Sequence, residues 1–328
     1  MSDWLHIARL DDNVPLDIDR HPMGEHSPLR DAISTHLAAS GYRTLSFVAE
    51  EDKHIVGLGQ SVPRQTAWNV ARLMTTSSLS PADETTVLTG LLNTIAQAVA
   101  EHGAMRLHAR VQRDAAANDA FVRASFTPYS YESVYFLPSS PTRKATMSGL
   151  PIRPQESKDA WGIYQLYCAI TPRLVQQAEG LDASHWDIPP STSMRRLSKV
   201  GEHRWVLEID GEIVGFVRTN RLGRRLQMLI APSAYRYARQ MIAYAIAEMT
   251  PIHYVRCSLP EYQGELGTHL EEEGFRFVGT QVVFVRQLTA VARSENRVVR
   301  SVLEPTLGSA HTISPHYALS PCGNYDSN

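Results

Sequence analysis

The chain has 328 residues, of which 43% are hydrophobic, as in a globular protein with a sizeable core. Because domains usually hold about 100–200 residues, this length predicts two domains. The 32 lysines and arginines are balanced by 34 aspartates and glutamates, which gives a formal net charge of −2. This balance counts against a protein whose whole surface binds nucleic acid, and the composition excludes wholesale disorder and a collagen repeat.

The sequence shows no membrane, export or metal-binding pattern. No apolar run approaches the ~18–20 residues that a membrane span needs, and the first residues do not read as a signal peptide. Cys168, Cys257 and Cys322 are far apart, and the 13 histidines show no metal-ligand spacing. We therefore expect a cytoplasmic protein without a metal site.

The first half predicts a β-hairpin followed by alternating strands and helices. The hairpin runs from Phe47 to Gly59, where two apolar strands flank an acidic turn. A long helix is predicted from Glu84 to His102, because its apolar residues recur at helical spacing and Gly103 ends it. The other predicted elements are a helix over Leu29–Ser40, strands over Ala71–Ser77, Met105–Val111 and Tyr131–Leu137, and a short helix over Ala115–Ala124.

A stretch rich in Pro, Ser, Thr and Gly divides the chain. It covers residues 139–149 and has the composition of a linker. We therefore expect an N-terminal domain over 1–138 and a C-terminal domain over 150–293. The tail over 294–328 is rich in Ser, Pro and Asn after Pro305, and we expect it to be largely disordered.

The second half repeats the order of elements in the first. Its hairpin, Trp205–Val217, aligns without gaps on Phe47–Gly59, and six of the thirteen positions are identical, including Ile-Val-Gly at the start of each second strand. A duplication is the simplest account. The other predicted elements are helices over Asp159–Cys168, Pro172–Glu179, Tyr235–Met249 and Leu266–Glu273, and strands over Leu226–Ile230, His253–Leu259 and Thr280–Arg286.

This repeated order resembles the GNAT superfamily of acyl-CoA-dependent N-acetyltransferases. The resemblance covers about residues 1–290 and rests on the two Ile-Val-Gly hairpins, the strand–Pro–helix units at Pro81 and Pro232, and the turns Ser125-Phe126 and Gly274-Phe275. It implies an α+β fold of two tandem GNAT-like domains, each a mixed, mostly antiparallel sheet flanked by helices. In such tandem proteins one copy commonly keeps the active site, and we expect the N-terminal copy to be structural.

The resemblance also implies where acetyl-CoA would bind as the co-substrate. In the family, two central strands splay apart around the pantetheine arm, and the pyrophosphate lies on the start of the following helix, usually at a glycine-rich loop. Neither half has these glycines, and the first half places Asp83 and Glu84 there, whose charge repels phosphate. In the second half Ser233 can cap the helix, and two arginines suit phosphate. The candidate CoA-binding residues are Ser233, Arg236, Tyr237, Ala238, Arg239 and Gln240.

The tyrosine that many family members use as general acid is missing from both halves. Its positions hold Phe121 and Leu270, which cannot donate a proton. Tyr262 is the candidate replacement, and Glu261 is the candidate general base. Further candidate bases are Glu208 and Glu265.

Together these residues predict an acetyl-CoA-dependent N-acyltransferase. It would act by direct transfer to an unknown small-molecule or peptide amine in the C-terminal domain. The alternative is a catalytically inactive tandem GNAT protein that binds a ligand or partner as a regulatory module, which the missing glycines and tyrosines favour. Nucleic-acid binding is a weaker third hypothesis, and it rests on an arginine cluster at a predicted hairpin tip, made of Arg218, Arg221, Arg224 and Arg225.

Overall fold

The computed structural model describes residues 10, 14–18, 45–51, 54–64, 67–140, 151–188, 202–220, 224–249, 252–288 and 312–314. They fall into two compact units: unit 1 takes its residues from 1–17, 23–128 and 283–328, and unit 2 from 18–22 and 129–282. The predicted helix over Leu29–Ser40, the linker beyond residue 140 and the tail apart from Thr312–Ser314 lie outside the described residues.

The described residues of unit 1 form a mixed sheet with two helices. Its strands are β1 (Leu45–Glu51), β2 (His54–Arg64), β3 (Ala67–Thr75), β4 (Arg106–Gln112), the end of β11 (Arg276–Gln287) and β12 (Thr312–Ser314). Their order is β12-β1-β2-β3-β4-β11; neighbours from β12 to β3 are antiparallel, and β3 and β4 are parallel. The helices are α1 (Pro81–Glu101) and α2 (Asn118–Arg123).

The long helix α1 begins three residues before the predicted Glu84. Ser80 is its N-cap, and the Ser80 hydroxyl accepts a hydrogen bond from the backbone N–H of Asp83 at 3.3 Å. Pro81 then occupies the first helical position, where its missing N–H costs nothing. The predicted start lies one turn too late, because it was set by the apolar residues at helical spacing, and Ser80 and Pro81 precede them.

The described residues of unit 2 also form a mixed sheet, which four α-helices accompany. Its strands are β5 (Thr127–Ser140), β6 (Ile152–Pro154), β7 (Glu202–Ile209), β8 (Glu212–Asn220), β9 (Arg225–Ile230) and β10 (Ile252–Pro260). In the order β5-β10-β9-β8-β7-β6, β9 and β10 are parallel and the other neighbours are antiparallel. Its helices are α3 (Ala160–Ile170), α4 (Arg173–Glu179), α5 (Ala238–Met249) and α6 (Leu266–Glu272), with 3-10 segments at Ser157–Asp159, Ala183–Trp186, Pro232–Tyr237 and Glu261–Gln263.

The sheet of unit 2 buries apolar side chains on both faces. Successive residues of β7 point to opposite sides, so Trp205 packs in one core cluster with Met241 of α5, and Val206 packs in another with Ile163 of α3. The sheet therefore holds helices on both faces, which places the ends of β9 and β10 between α3 and α5.

The two aligned hairpins have the same register and the same irregularity. In the first, Ala49 pairs with Gly57 and the register shifts between Ala49 and Glu50. In the second, Leu207 pairs with Gly215 and the register shifts between Leu207 and Glu208. These positions are equivalent in the gap-free alignment, so the repeat seen in the sequence is a repeat of structure.

The predicted α+β class, with tandem mixed and mostly antiparallel sheets flanked by helices, is confirmed. The two units are not contiguous in sequence, because residues 129–140 belong to unit 2 and residues from 283 onward to unit 1. The boundaries at 138, 149 and 293 follow the sequence repeat and stay a prediction.

Candidate active site

The parallel strands β9 and β10 pair where β9 begins, beside the middle of β10, and not where the two strands end. Arg225 and Leu226 are in register with Arg256 and Cys257. Further along, β9 hydrogen-bonds a side chain instead: Oε1 of Gln263 accepts from the N–H of Ile230 at 3.1 Å, and Nε2 donates to the carbonyl of Met228 at 3.4 Å. Gln263 is 1% exposed, so these bonds lie inside the protein.

Beside this point lies a partly buried cluster of tyrosine and glutamate side chains. The Tyr167 hydroxyl of α3 donates to Oε2 of Glu179 at 2.7 Å, at the last residue of α4. Tyr262 faces the same carboxylate from the 3-10 turn that follows β10. Burial raises the pKa of the Tyr262 phenol above its ordinary value, and the charges of Glu179 and Glu132 raise it further. Burial and Glu179 likewise raise the pKa of Tyr167.

The cluster extends to Glu132 on β5. Glu132 is in register with Pro260 at the end of β10, which brings it close to Tyr262 in space. Nε2 of Gln281 donates to Oε2 of Glu132 at 2.7 Å, and both side chains are buried. Two carboxylates, Glu132 and Glu179, therefore lie near one phenol.

The predicted CoA-binding segment has a different local structure from the one expected. Residues Pro232–Tyr237 form a 3-10 segment, and α5 starts at Ala238 and not at Tyr235. The expectation that Ser233 caps the helix is wrong: Ala231 is the N-cap of the 3-10 segment, and Ser233 is its second residue. The interposed segment moves the start of α5 five residues beyond Ser233.

The candidate residues on this segment differ in exposure. Ser233, Arg236, Arg239 and Gln240 are exposed, Tyr237 is half-buried, and Ala238 is buried. The Arg236 guanidinium lies over the Tyr237 ring, 4.8 Å from its centroid. Nε of Arg239 donates to Oε1 of Glu273 at 2.9 Å, and this bond raises the pKa of Arg239. The two arginines are therefore in different states, because Arg239 already has a carboxylate partner.

The carboxylates named from the sequence lie apart from the cluster. Glu261 and Glu265 are exposed. Glu208 forms an ion pair with Arg153, whose Nη2 lies 2.5 Å from Oε2 of Glu208. Arg153 also forms a 2.6 Å ion pair with the buried Asp159, and that hydrogen bond lowers the pKa of Asp159. Among the predicted catalytic residues, the structure brings the half-buried Tyr262 into the cluster and leaves Glu261 on the surface.

A cavity of about 640 Å³ opens next to the start of the 3-10 segment. It lies between α3 and the turn that joins β7 and β8, and it reaches Ala231 and Ser233. Its charged lining consists of Arg153, Lys158, Asp159, Glu208 and Glu212. The cavity gives a polar molecule access to the end of β9.

Two arginines of the cluster behind the weaker nucleic-acid hypothesis, Arg218 and Arg224, have partners within the protein. Arg218 donates to Oε1 of Gln227, and burial together with the charges of Arg204 and Arg225 lowers its pKa to about 10, against the opposing effect of Glu202. The Arg224 guanidinium lies 4.4 Å from the centroid of the Tyr254 ring. Arg221 lies outside the described residues.

The equivalent place in unit 1 lacks the features of an anion site. Thr75 Oγ1 donates to Oε1 of Glu84 at 2.8 Å, and the Ser80 hydroxyl donates to Oδ2 of Asp83 at 2.6 Å. The two acids are therefore part of the cap of α1. Phe121 is fully buried against Phe126 and Phe284, as packing predicts.

Sequence reasoning missed Gln263, Glu179, Tyr167 and Glu132. Only Gln263 could have been noticed from the sequence, because it directly follows the candidate Tyr262 in the segment after β10. In the part of the chain that the structure describes, no three His, Cys, Asp or Glu side chains come together as a metal site. Within the same ranges no helix is long and apolar enough to cross a membrane.

Comparison with known proteins gives the fold. No family model and no curated protein matches the chain. Among solved structures, a GCN5-related N-acetyltransferase from Sphaerobacter thermophilus is 15% identical, with 86% of this chain and 91% of that chain covered and a TM-score of 0.53. A tandem GNAT protein from the clavulanic acid biosynthesis pathway is 11% identical, with 87% and 93% covered and a TM-score of 0.48.

The match to the Sphaerobacter thermophilus protein shows the GNAT fold, as the sequence analysis predicts. The tandem arrangement rests on the chain itself, which repeats the element order and the hairpin register.

Proposed function

We propose that this chain is an acetyl-CoA-dependent N-acyltransferase and that unit 2 holds its active site. The observation that carries the proposal is the half-buried pair of Tyr262 and Glu179 beside the gap between the ends of β9 and β10. A phenol that is kept protonated and a carboxylate are the two proton-handling groups that amide formation from a thioester uses. We further propose that the protein is cytoplasmic and that unit 1 is structural.

The residues of unit 2 fit acyl-CoA in part. Arg236 is exposed at the end of the 3-10 segment, where it can meet the phosphates. Met228 and Ile230 present backbone groups to the gap, as a pantetheine amide requires. The usual glycines are replaced by the buried Ala238 and the exposed Gln240, so phosphate contact would rely on side chains more than on the backbone.

Bound acetyl-CoA would supply an acyl group activated as a thioester. In this reaction Glu179 takes one proton from the acceptor ammonium, so that a neutral amine nitrogen can attack the thioester carbon. As the C–N bond forms and the C–S bond breaks, the second nitrogen proton passes to the departing thiolate. Tyr262, whose pKa is raised, stays protonated at neutral pH and donates a hydrogen bond to the sulfur that departs as thiolate. Partial burial of both groups strengthens these interactions, because it lowers the local dielectric. Glu261 remains a candidate base at the surface of the same turn.

The acceptor in this proposal is a small-molecule or peptide amine. The buried carboxylate of Glu132 and the half-buried carboxylate of Glu179 favour a positively charged ammonium over a neutral or anionic group. Tyr167 and Tyr262 both lie near the carboxylate of Glu179, and Tyr129 lies near Tyr167 in the same cluster. Such an aromatic and acidic surrounding suits a cation.

The second candidate function is a catalytically inactive tandem GNAT protein that binds a ligand or partner. One observation favours it: Gln263 occupies the backbone groups of β9 that a pantetheine arm would use. Absence of the glycine signature points the same way. Under this hypothesis unit 2 would bind a regulatory ligand in the cavity beside α3, without acyl transfer.

Thiol release from acetyl-CoA in the presence of a panel of small-molecule and peptide amines tests the proposal. We expect amine-dependent release of free CoA, with kcat lowered about 100-fold or more in Glu179→Gln and about tenfold in Tyr262→Phe. Glu248→Gln, an exposed carboxylate on α5, is the matched control and should keep full activity. No release with any amine, and no thermal shift at millimolar acetyl-CoA, would favour the binding module.

A further inference from the structure

We propose that Gln263 is a gate of the acyl-CoA site. Its side-chain amide bonds the N–H of Ile230 and the carbonyl of Met228 in the pantetheine slot, which is the gap between the ends of β9 and β10. CoA must displace this amide to enter the slot. The inference rests on the proposed function and adds a regulatory element to that site. It is drawn from the two hydrogen bonds between Gln263 and β9.

The backbone of β9 determines which of its groups face the gap. The N–H of Ala231 donates to the carbonyl of Val214 on β8, so Ala231 points toward β8. Because successive residues of a strand point their N–H and C=O groups to opposite edges, Ile230 and Met228 face β10. These are the groups that a parallel neighbour would bond. Among the described residues, however, β10 pairs with β9 only at Arg225 and Leu226, the first residues of β9.

Gln263 takes the place of that missing neighbour. Its amide accepts from the Ile230 N–H and donates to the Met228 carbonyl, so one side chain satisfies an acceptor and a donor two residues apart. The pantetheine arm of CoA carries amide groups with the same donor and acceptor pair. The two amides therefore compete for the same backbone groups, and the slot cannot hold both.

Burial sets how tightly the gate is closed. Gln263 is 1% exposed, and buried polar groups without partners are costly, so loss of the Gln263 amide would leave two backbone groups unsatisfied. An arm that bonds the same groups removes this cost. Gating therefore lowers CoA affinity without blocking entry, and it selects ligands that carry an amide at this depth.

The gate and the proposed acid lie on one turn. Gln263 ends the 3-10 segment Glu261–Gln263, and Tyr262 is the residue before it. The N–H of Gly264 closes this turn by donating to the carbonyl of Glu261 at 3.0 Å. Because Gln263 and Tyr262 share the turn, we expect any backbone shift that accompanies displacement of Gln263 to reach the phenol beside Glu179.

Calorimetric titration with two probes tests the gate. CoA carries the pantetheine arm, and adenosine 3′,5′-bisphosphate has the phosphates and adenosine without it. We expect Gln263→Ala to lower the Kd of CoA about tenfold and to leave the Kd of adenosine 3′,5′-bisphosphate unchanged. Gln263→Glu, which can accept from Ile230 but cannot donate to Met228, should lower the Kd of CoA by a smaller factor.

Folding of the variants is followed by thermal denaturation, and one measurement needs no variant. In the wild type, the side-chain NH2 resonances of Gln263 should shift on addition of CoA and stay in place with adenosine 3′,5′-bisphosphate. An unchanged or higher Kd of CoA in folded variants, or unmoved Gln263 resonances at saturating CoA, overturns the gate while the proposed function stands. Absence of binding of both probes to the wild type overturns the proposed function, and the gate with it.

Discussion

Arg239, in the first turn of α5, donates from Nε to Oε1 of Glu273 at 2.9 Å, just after the end of α6. The Glu273 side chain is 7% exposed, so this ion pair ties α5 to α6 at a partly buried place. A second carboxylate, Glu272, lies 3.8 Å from the same nitrogen. We therefore propose that Arg239 is a structural cation and that Arg236 is the arginine at this helix start that meets a phosphate.

Neutralising each arginine in turn separates these roles. Arg236→Gln should weaken CoA binding about tenfold, equivalent to about 1.4 kcal/mol, because it removes a charged contact with phosphate. Arg239→Gln should change the Kd about twofold or less and lower the melting temperature instead. Calorimetry and thermal denaturation measure the two effects, with the exposed Arg123→Gln of unit 1 as control. A larger loss of affinity in Arg239→Gln contradicts the assignment.

The glycines of the two Ile-Val-Gly hairpins should be intolerant of alanine. A Cβ on Gly215 would lie 3.0 Å from Sδ of Met241 on α5, and a Cβ on Gly57 would lie 2.9 Å from Cγ1 of Val87 on α1. We expect Gly215→Ala and Gly57→Ala each to cost about 1–3 kcal/mol of unfolding free energy, through overpacking between helix and sheet. Denaturant titration measures this cost.

A control for the glycine test lies in the same hairpin. Gly211 has φ +82°, with open space around the position of a Cβ, so Gly211→Asn should cost little, because Asn tolerates the left-handed region. Equal losses at Gly211 and Gly215 would mean that backbone conformation, and not the close helix, explains the Gly215 effect.

Unit 1 should lose stability as the pH falls, because of His108. Burial lowers the pKa of His108 to about 4, helped by the charges of Arg110 and Arg106, while the unfolded chain titrates near 6.5. Between these values the unfolded state binds a proton that the folded state does not, so stability falls with decreasing pH by up to about 1.4 kcal/mol per pH unit. The contribution is constant above pH ~6.5 and below the folded pKa.

Denaturant titration of the wild type and His108→Gln between pH 7 and pH 4 measures this effect. The free energy of unfolding of the wild type should fall more steeply with decreasing pH than that of the variant. Parallel curves would show that His108 is protonated in the folded protein at the same pH as in the unfolded chain.

Much of the fold could be predicted from the sequence because its signals are local. Alternation and the acidic turn locate the hairpin Trp205–Val217, and helical spacing locates α1, whose start was misplaced by only three residues. The 3-10 segment Pro232–Tyr237 was missed, because a proline followed by a serine is also typical of a helix start.

The chemistry of the site could be predicted only in part, because its partners are distant in sequence. Tyr262 was named from the sequence and its role stays a prediction, whereas its proximity to Glu179 depends on the packing of α4. Gln263 bonds Ile230, 33 residues earlier, through a gap between strands that no pattern reveals. In the sequence, Arg239 and Arg236 are equivalent candidates for a phosphate contact, and the ion pair of Arg239 with Glu273 becomes visible only in the structure.

A crystal structure with acetyl-CoA tests the central proposal most directly. We predict the pantetheine arm between β9 and β10 of unit 2, bonded to Met228 and Ile230, with the Gln263 side chain displaced and the pyrophosphate beside Arg236. Acetyl-CoA between β3 and β4 of unit 1, or no binding at millimolar concentration, would contradict the account.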